Sequence, residues 1–149
     1  MNFPHPFGYI YGLFLFLTVG VGAQMGLFAL LLTKARIHHW IGIISLASFW
    51  ALVEWTRLFF LSGFSFNPIG VAFTDSLYSL QFASLFGMYG LSFFIILINL
   101  LFARAWIDGW KKSSVLFWAI AALLPFLFGY AHLQIHRGHL EEQAKKLPD

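Results

Sequence analysis

Four long stretches of the chain are apolar and almost free of charge, and short polar segments separate them. They cover residues 8–32, 40–61, 81–102 and 115–133. A transmembrane helix needs about 20 apolar residues to cross a hydrocarbon core about 30 Å thick. The runs are continuous and do not alternate as the strands of a membrane β-barrel would. The pattern therefore predicts an all-α integral membrane helix bundle, with about four transmembrane helices.

Two segments outside these runs have a different texture. Residues 62–80 contain several residues that favour turns over regular helix, namely Gly63, Asn67, Pro68, Gly70 and Asp75. We expect this segment to be a loop or a partly inserted segment. Residues 134–149 mix both signs of charge, and we expect an outward-facing tail or linker there.

The basic residues between the apolar runs predict a topology. They are Lys34 and Arg36 in one connection, and Arg104, Lys111 and Lys112 in another, two crossings later. Residues 62–80, which lie between these connections, contain neither Lys nor Arg. The positive-inside rule places both basic connections in the cytoplasm. The N-terminus, residues 62–80 and the tail then face outward.

The composition agrees with a membrane protein. The chain is 60% hydrophobic and only 10% charged, whereas soluble domains carry about 25% charged residues. The net charge of +3 could suggest a nucleic-acid partner. However, the basic residues form short clusters and no basic face with interleaved aromatics, so we expect no nucleic-acid binding.

The chain shows no catalytic or metal-binding pattern. It contains no Cys, which excludes a cysteine nucleophile and thiolate metal ligands within these residues. There is also no P-loop, GxGxxG, GxSxG or credible Ser/His/Asp set. His132 and His136 are one helical turn apart, but without HExxH we interpret them as a solvated helix end. We therefore predict no catalytic residue, no metal and no cofactor in this chain.

Glu54 and Arg57 form the most informative polar pair. They are three residues apart and so project from one face of the second predicted span. Glu54 lies roughly 21 Å along that helix from Trp40. An ionised group at membrane depth costs roughly 2.5–3.5 kcal/mol. Two interpretations remain: a structural ion pair, or a site for a lipid headgroup or a docking loop.

Other candidate residues flank this pair. Gly63, Phe64 and Phe66 could lie among lipid headgroups, or they could form an interfacial turn that binds nothing. Small residues at helical spacing allow close packing of membrane helices. On that basis we predict packing roles for Gly22 and Gly26 in the first span, and for Ala83, Gly87 and Gly90 in the third.

The order of several motifs resembles one known family. The motifs are Trp50-Ala51-Leu52-Val53-Glu54-Trp55-Thr56-Arg57, Gly63-Phe64, Gly70, Gln81 and Gly87-x-Tyr89-Gly90-Leu91-Ser92-Phe93. Their order and spacing, from about Trp40 to Phe102, are similar to the membrane domain of bacterial apolipoprotein N-acyltransferase. The family usually has Gly-Phe-Pro-Trp where this chain has Ser65 and Phe66 in the last two positions. Tyr89 joins the candidate lipid-binding residues.

The resemblance implies a function. Members of this family transfer an acyl chain from a phospholipid to the N-terminal cysteine of lipoproteins, in the bacterial inner membrane. Their Glu-Lys-Cys triad lies in an outward-facing nitrilase-like domain after the seventh span. This chain would correspond to spans four to seven and the linker that follows, as a fragment or one part of a split enzyme. Its implied partners are membrane phospholipid, a lipoprotein substrate and a separate nitrilase-like domain.

Two alternatives remain open. The chain could be a non-enzymatic membrane scaffold that kept the helix bundle. It could also be a small transporter or channel, with Glu54 and Arg57 lining a polar path. The sequence favours the transporter least, because few polar residues lie at membrane depth.

Overall fold

The computed structural model describes residues 7–35, 37–60 and 68–144. The helices are α1 (Phe7–Lys34), α2 (Trp40–Phe60), a 3-10 helix (Ile69–Phe73), α3 (Leu77–Gln81), α4 (Ala83–Ile107) and α5 (Lys112–Ala144). The described residues are almost entirely helical and include no strand. The predicted all-α class is confirmed.

Four of these helices are long and apolar enough to cross a membrane. The membrane-capable segments are Gly8–Lys34, Trp40–Phe59, Ala83–Ile107 and Lys112–His139. Helices suit this environment because every backbone polar group is bonded within its own segment. The prediction of a multi-pass membrane protein with four transmembrane helices is therefore confirmed at the level of length and composition.

The chain divides into two compact units. The first, Met1–Ala35, contains α1. Its threonine hydroxyls are bonded within the helix, since Thr18 Oγ1 donates to the Phe14 carbonyl at 2.8 Å and Thr33 Oγ1 donates to the Leu30 carbonyl at 2.7 Å. Gly22 and Gly26 both lie on α1, and their packing role stays a prediction. The second unit, Arg36–Asp149, contains the other helices and all the geometry described below.

The second unit is built around α4, which contacts α2, the 3-10 helix and α5. The core side chains of α2 recur every three or four residues and include Ile43, Ala47 and Trp50. This spacing puts them on one face of the helix. They meet a buried face of α4 that includes Leu91 and Ile95. The opposite faces of these helices are apolar and exposed, as expected for lipid contact.

α3 lies directly against α5. A Cβ atom added at Gly129 of α5 would overlap the backbone carbonyl of Tyr78 in α3. Only glycine allows this approach. The contact continues through the Phe82 ring, whose centroid lies 5.6 Å from that of Phe128 and 4.6 Å from that of Phe94. This aromatic cluster fixes the short helix between α4 and α5.

The structure adds detail to the two segments outside the apolar runs. The segment at 62–80 contains the 3-10 helix and α3 within its described part, so much of it is helical. α5 continues as one helix to Ala144, well past residue 133, where the apolar run ends. The extension contains two Gln, two Glu, one Arg, one Leu and one Ala, which are good helix formers. The outward-facing tail or linker expected at 134–149 stays a prediction.

α4 contains a break at Gly87. This residue has φ 66° and ψ −169°, whereas the residues on both sides are helical. That combination belongs to a backbone region that is essentially restricted to glycine. The first turn of α4, which begins at Ala83, is therefore displaced from the line of the remaining helix. The break lies beside the site described next.

Candidate lipid-binding site

Glu54 is buried in the second unit, with 2% of its surface exposed. Its Oε1 atom accepts two hydrogen bonds. One comes from the indole Nε1 of Trp50, one turn earlier on α2, at 2.8 Å. The other comes from the backbone N–H of Ile69, at the start of the 3-10 helix, at 2.9 Å. The carboxylate thus ties α2 to a segment that follows it by 15 residues.

Gly70, the residue after Ile69, attaches the 3-10 helix to α4. The backbone N–H of Gly70 donates to Ser92 Oγ at 3.0 Å. A Cβ added at Gly70 would lie 2.6 Å from the Met88 carbonyl oxygen and 3.0 Å from the Ser92 backbone nitrogen. Residue 70 has to be glycine because the backbone of α4 lies too close to leave room for a side chain. The 3-10 helix is therefore held between Glu54 on α2 and Ser92 on α4.

The structure does not show the ion pair between Glu54 and Arg57, which was one of the two interpretations of their spacing. The described residues contain no ion pair between these two side chains. Arg57 is half-buried, while Glu54 turns toward Trp50 and Ile69. Its second oxygen, Oε2, is buried without a hydrogen-bond partner in the described part of the chain. The donors that the carboxylate does have are Trp50 at i−4 and the returning backbone at Ile69, and both bind its Oε1 atom.

A groove lies between α2 and α4, and residues of both helices line it. Its volume is about 400 Å³, and it is open along one side. It is lined by Ser48, Ala51, Leu52, Trp55, Tyr89, Gly90 and Phe93. The lining is almost entirely apolar. Leu52 and Trp55 are exposed to 58% and 46%, so the groove opens on a face that would meet lipid.

Two glycines lie at one end of the groove. Gly90 lines it directly, and Gly87 is the break in α4. A Cβ added at Gly90 would overlap the Cβ of Phe86, which the break turns toward it. No atom of the described residues lies within 4 Å of a Cβ built at Gly87. The contact that requires glycine is therefore made within α4 itself. The predicted roles of Ala83, Gly87 and Gly90 between helices stay predictions.

The structure brings some predicted site residues together. Tyr89 lies in the groove with Trp55, which stands between Glu54 and Arg57 in the sequence. Gly63, Phe64 and Phe66 lie outside the described residues. Sequence reasoning missed five lining residues, namely Ser48, Ala51, Leu52, Trp55 and Phe93. Residues 48, 51, 52 and 55 are separated by three or four positions, which places them on one face of α2. This spacing is the signal in the sequence that could have identified them.

A second polar cluster surrounds Asp108, between α4 and α5. Its carboxylate accepts a 2.7 Å hydrogen bond from Ser114 Oγ and lies 3.3 Å from His38 Nδ1. Arg104 Nε is 3.6 Å away, and its guanidinium lies 4.8 Å from the centre of the Trp40 ring. The Ser114 hydrogen bond is the main cause that holds the pKa of Asp108 below its usual value. Lys111, His38 and Arg104 act in the same direction, against the partial burial of the group.

The histidines of α5 make structural contacts. His132 Nδ1 lies 3.1 Å from Gln81 Oε1, which joins α5 to the end of α3. The His136 ring meets the His132 ring edge-on at 4.8 Å. In the part of the chain that the structure describes, no three potential ligands converge on a metal position. The arrangement holds α3 against α5.

Fold and groove together define a multi-pass α-helical membrane protein with a lipid-facing apolar groove. The family model described as the apolipoprotein N-acyltransferase N-terminal domain matches residues 1–101. The chain belongs to this family. The match also corrects the extent of the resemblance, which the motifs had limited to the region from Trp40 to Phe102. It begins at the first residue and includes α1.

Individual relatives agree with the family match. The chain is 28% identical over 127 residues to an apolipoprotein N-acyltransferase of Rickettsia bellii, covering 85% of this chain and 24% of the relative. It is 30% identical over 122 residues to one from Chlamydia pneumoniae, covering 81% and 22%. The chain thus spans about a quarter of the length of the curated relatives it matches. No solved structure matches it.

Proposed function

We propose that the chain is the membrane module of an apolipoprotein N-acyltransferase and that the groove between α2 and α4 holds an acyl chain. The observation that carries this proposal is the groove itself. It has a volume of about 400 Å³, an apolar lining and an opening toward lipid-exposed residues. Acyl chains need such an environment and no polar partner along their length. The family supports a phospholipid as the source of that chain.

Shape would decide binding in this groove. A lipid tail outside the protein is already surrounded by apolar neighbours, so the hydrophobic effect offers little gain on entry. The gain comes from van der Waals contact with a fixed surface, which Trp55, Tyr89 and Phe93 supply. The hydroxyls of Ser48 and Tyr89 are the polar groups of the lining and could orient an ester linkage.

Arg57 extends this proposal to the headgroup. It follows Trp55 by two positions on α2, at the end of the helix that the charge pattern places near the outer surface. A guanidinium binds phosphate oxygens with two parallel hydrogen bonds. Arg57 would therefore contact the phosphate of a lipid whose chain lies in the groove. The buried Glu54 network would hold this end of α2 in place.

The proposed partners follow from the same arrangement. These 149 residues contain no Cys, so a thiol that carries the acyl group would belong to a nitrilase-like domain outside them. The proposed topology places the C-terminal end of α5 on the outer face of a bacterial inner membrane. The module would then present phospholipid, and afterwards a lipoprotein acceptor, to that domain during lipoprotein maturation.

Cross-linking tests the proposal directly. A photoreactive phospholipid in nanodiscs, with its diazirine on the acyl chain, should label Trp55, Tyr89 or neighbouring lining residues. Leu116 and Ile120 on α5 are exposed apolar residues outside the groove and serve as the reference surface. Equal labelling of both surfaces would show that the groove holds no lipid and would overturn the proposal.

An activity measurement completes the test. The chain alone should transfer no acyl group from phospholipid to a diacylated lipopeptide. Addition of a nitrilase-like domain from a relative should give transfer, and a Trp55→Ala chain should give less. Transfer by the chain alone would reveal a nucleophile within these residues and would contradict the role as a module.

A further inference from the structure

The cluster around Asp108 carries more positive than negative charge. Asp108 contributes one negative charge. Arg104, Lys111 and Lys112, all within four positions of it in the sequence, contribute three positive charges, which leaves a net charge of +2. His38 Nδ1 lies 3.3 Å from the Asp108 carboxylate and adds positive charge when it is protonated. We call these five residues the Asp108 cluster, and its excess of positive charge suits an anionic ligand.

The guanidinium of Arg104 is incompletely paired. Its Nε atom lies 3.6 Å from Asp108 Oδ2, which is too far for a hydrogen bond, and that oxygen accepts Ser114 Oγ at 2.7 Å instead. Nε and Nη1 are buried without a hydrogen-bond partner in the described part of the chain. The group lies over the Trp40 ring, and 21% of the side chain remains exposed. A negative charge at the exposed side would complete the pairing of this cation.

Exposed tryptophans place the cluster at the edge of the membrane. Trp106 and Trp110 are both exposed, and their ring centroids lie 5.7 Å apart. Exposed tryptophans of membrane proteins concentrate at the level of the lipid headgroups. Lys111 and Lys112 follow Trp110 directly, where the chain turns from α4 into α5, and both are exposed. Their flexible side chains can therefore carry the ammonium groups to the phosphates of the bilayer.

We propose that the Asp108 cluster binds the headgroup of an anionic phospholipid in the cytoplasmic leaflet. The charge pattern assigns this end of the bundle to the cytoplasm. Basic pockets between transmembrane helices on that side bind such headgroups. Here the positive charge comes from the end of α4 and the start of α5, beside Trp40 at the start of α2. Phosphate oxygens would accept hydrogen bonds from Lys111 and from the exposed part of the Arg104 guanidinium.

This site is separate from the groove. Ser48 is the first groove residue on α2 after Trp40, and it follows Trp40 by eight positions, or about 12 Å along the helix. The proposal therefore does not rest on the function proposed for the groove. A lipid at the Asp108 cluster would hold α2, α4 and α5 together at their cytoplasmic ends.

Two lipids with identical acyl chains test the proposal. Phosphatidylglycerol has a net negative charge and phosphatidylethanolamine has none, so the ratio of their dissociation constants reports the headgroup site alone. Native mass spectrometry of the protein released from detergent measures both constants. The wild type should prefer phosphatidylglycerol roughly tenfold or more, and Lys111→Gln should lower this preference about fivefold, the usual contribution of one basic residue. Equal binding of both lipids by the wild type would overturn the proposal.

Two control variants should keep the wild-type ratio. Arg137→Gln also removes one exposed positive charge, but from a position 25 residues after Lys112 on α5, about 38 Å away along the helix. Trp55→Ala alters the groove, which meets the same acyl chains in both lipids. If Arg137→Gln lowered the ratio as much as Lys111→Gln, the preference would follow the charge of the whole protein and the site would not exist. An equal decrease in Trp55→Ala would assign the discrimination to the groove, with the same consequence.

Asp108→Asn should shift the ratio in the opposite direction. Its carboxylate competes with the lipid phosphate for the same cations, so its removal should increase the preference for phosphatidylglycerol. A purely structural role of the cluster predicts a decrease, because the variant loses the bond to Ser114 and the charge beside Arg104. A decrease would therefore contradict the proposal.

A final measurement separates a lipid from a free anion. Inorganic phosphate at millimolar concentration should leave the preference at the value found in sodium chloride of equal ionic strength, because the lipid is also held by the membrane-facing tryptophans. If phosphate abolished the preference and sodium chloride did not, the cluster would be a site for soluble anions and the assignment to a lipid would be wrong.

Discussion

The indole N–H of Trp50 donates a 2.8 Å hydrogen bond to the carboxylate of Glu54, one turn further along α2. The same oxygen accepts the backbone N–H of Ile69 at 2.9 Å, so one buried atom serves two donors. A non-helical backbone is tolerated at membrane depth only where its polar groups find partners inside the protein. Glu54 is such a partner, because its Oε1 atom accepts the backbone N–H of Ile69.

The shared oxygen predicts coupled losses of stability. Trp50→Phe and Glu54→Gln should each lower the free energy of unfolding by roughly 1–3 kcal/mol, the cost of a lost or weakened buried hydrogen bond. The double variant should lose less than the sum, because the Trp50 bond has already been weakened in the Glu54 variant. Thermal unfolding in detergent measures all three values.

The matched control for this comparison of single and double variants is Trp55→Phe. This residue is the same type on the same helix, but it faces the groove, and no described contact joins it to Glu54. Its change in stability should add to that of Glu54→Gln. Additive losses for Trp50 as well would mean that the hydrogen bond between Trp50 and Glu54 does not contribute to stability.

Close approach at Gly70 gives a second prediction. An alanine there would put its Cβ 2.6 Å from the Met88 carbonyl oxygen, which is backbone and cannot rotate away. The free energy of unfolding should fall by roughly 1–3 kcal/mol or more, as for other overpacked sites. Gly138→Ala is the control, because its Cβ would meet no described atom within 4 Å. Unchanged stability of Gly70→Ala would show that the 3-10 helix can move away from α4.

The sequence indicated the long helices well and the site only in part. Runs of about 20 apolar residues determine spanning helices through local composition, which a sequence displays directly. The sequence left the partner of Glu54 open between an ion pair with Arg57 and a headgroup or docking loop. Its spacing to Arg57 allowed an ion pair, but the actual donors are Trp50 and a backbone that returns 15 residues later. That return depends on tertiary packing, which the local pattern does not contain.

The groove illustrates a further limit of sequence reasoning. Gly87 and Gly90 read as small residues suited to helix packing, because their spacing is the only property visible in the sequence. The structure shows a backbone break at one and an intrahelical contact with Phe86 at the other. Tyr89 was a candidate through the family motif. Ser48 and Phe93 become lining residues only once the crossing of α2 and α4 is known.

Acid should weaken the cluster around Asp108. The pKa of this group is lower in the folded chain than the ordinary value of 3.8, chiefly because Ser114 donates to the carboxylate. A lowered pKa means that the cluster stabilises the folded state above pH 3.8 and loses this contribution as the pH falls through the folded value. The unfolding temperature of the wild type should therefore decrease when the pH is lowered below about 4.

Two variants check this pH dependence. Asp108→Asn removes the titrating group, so its unfolding temperature should be lower at neutral pH and should change less on acidification. Ser114→Ala removes the largest cause of the shift and should reduce the acid-dependent drop in part. Equal pH profiles for wild type and Asp108→Asn would mean that this carboxylate does not stabilise the junction between α4 and α5.

The proposed topology predicts which positions are accessible from each side of the membrane. Because the chain contains no Cys, single cysteines can be introduced without other changes. In bacterial spheroplasts an impermeant thiol reagent should label Asp75→Cys and leave Lys111→Cys unlabelled until the membrane is permeabilised. The reason is the charge pattern, since Lys111 lies among the basic residues that favour the cytoplasm and Asp75 lies in a segment without them. If the reagent labelled only Lys111→Cys from outside, the topology would be the reverse of the proposed one. The end of α5 would then lie on the cytoplasmic side, where it could not lead to an outward-facing catalytic domain.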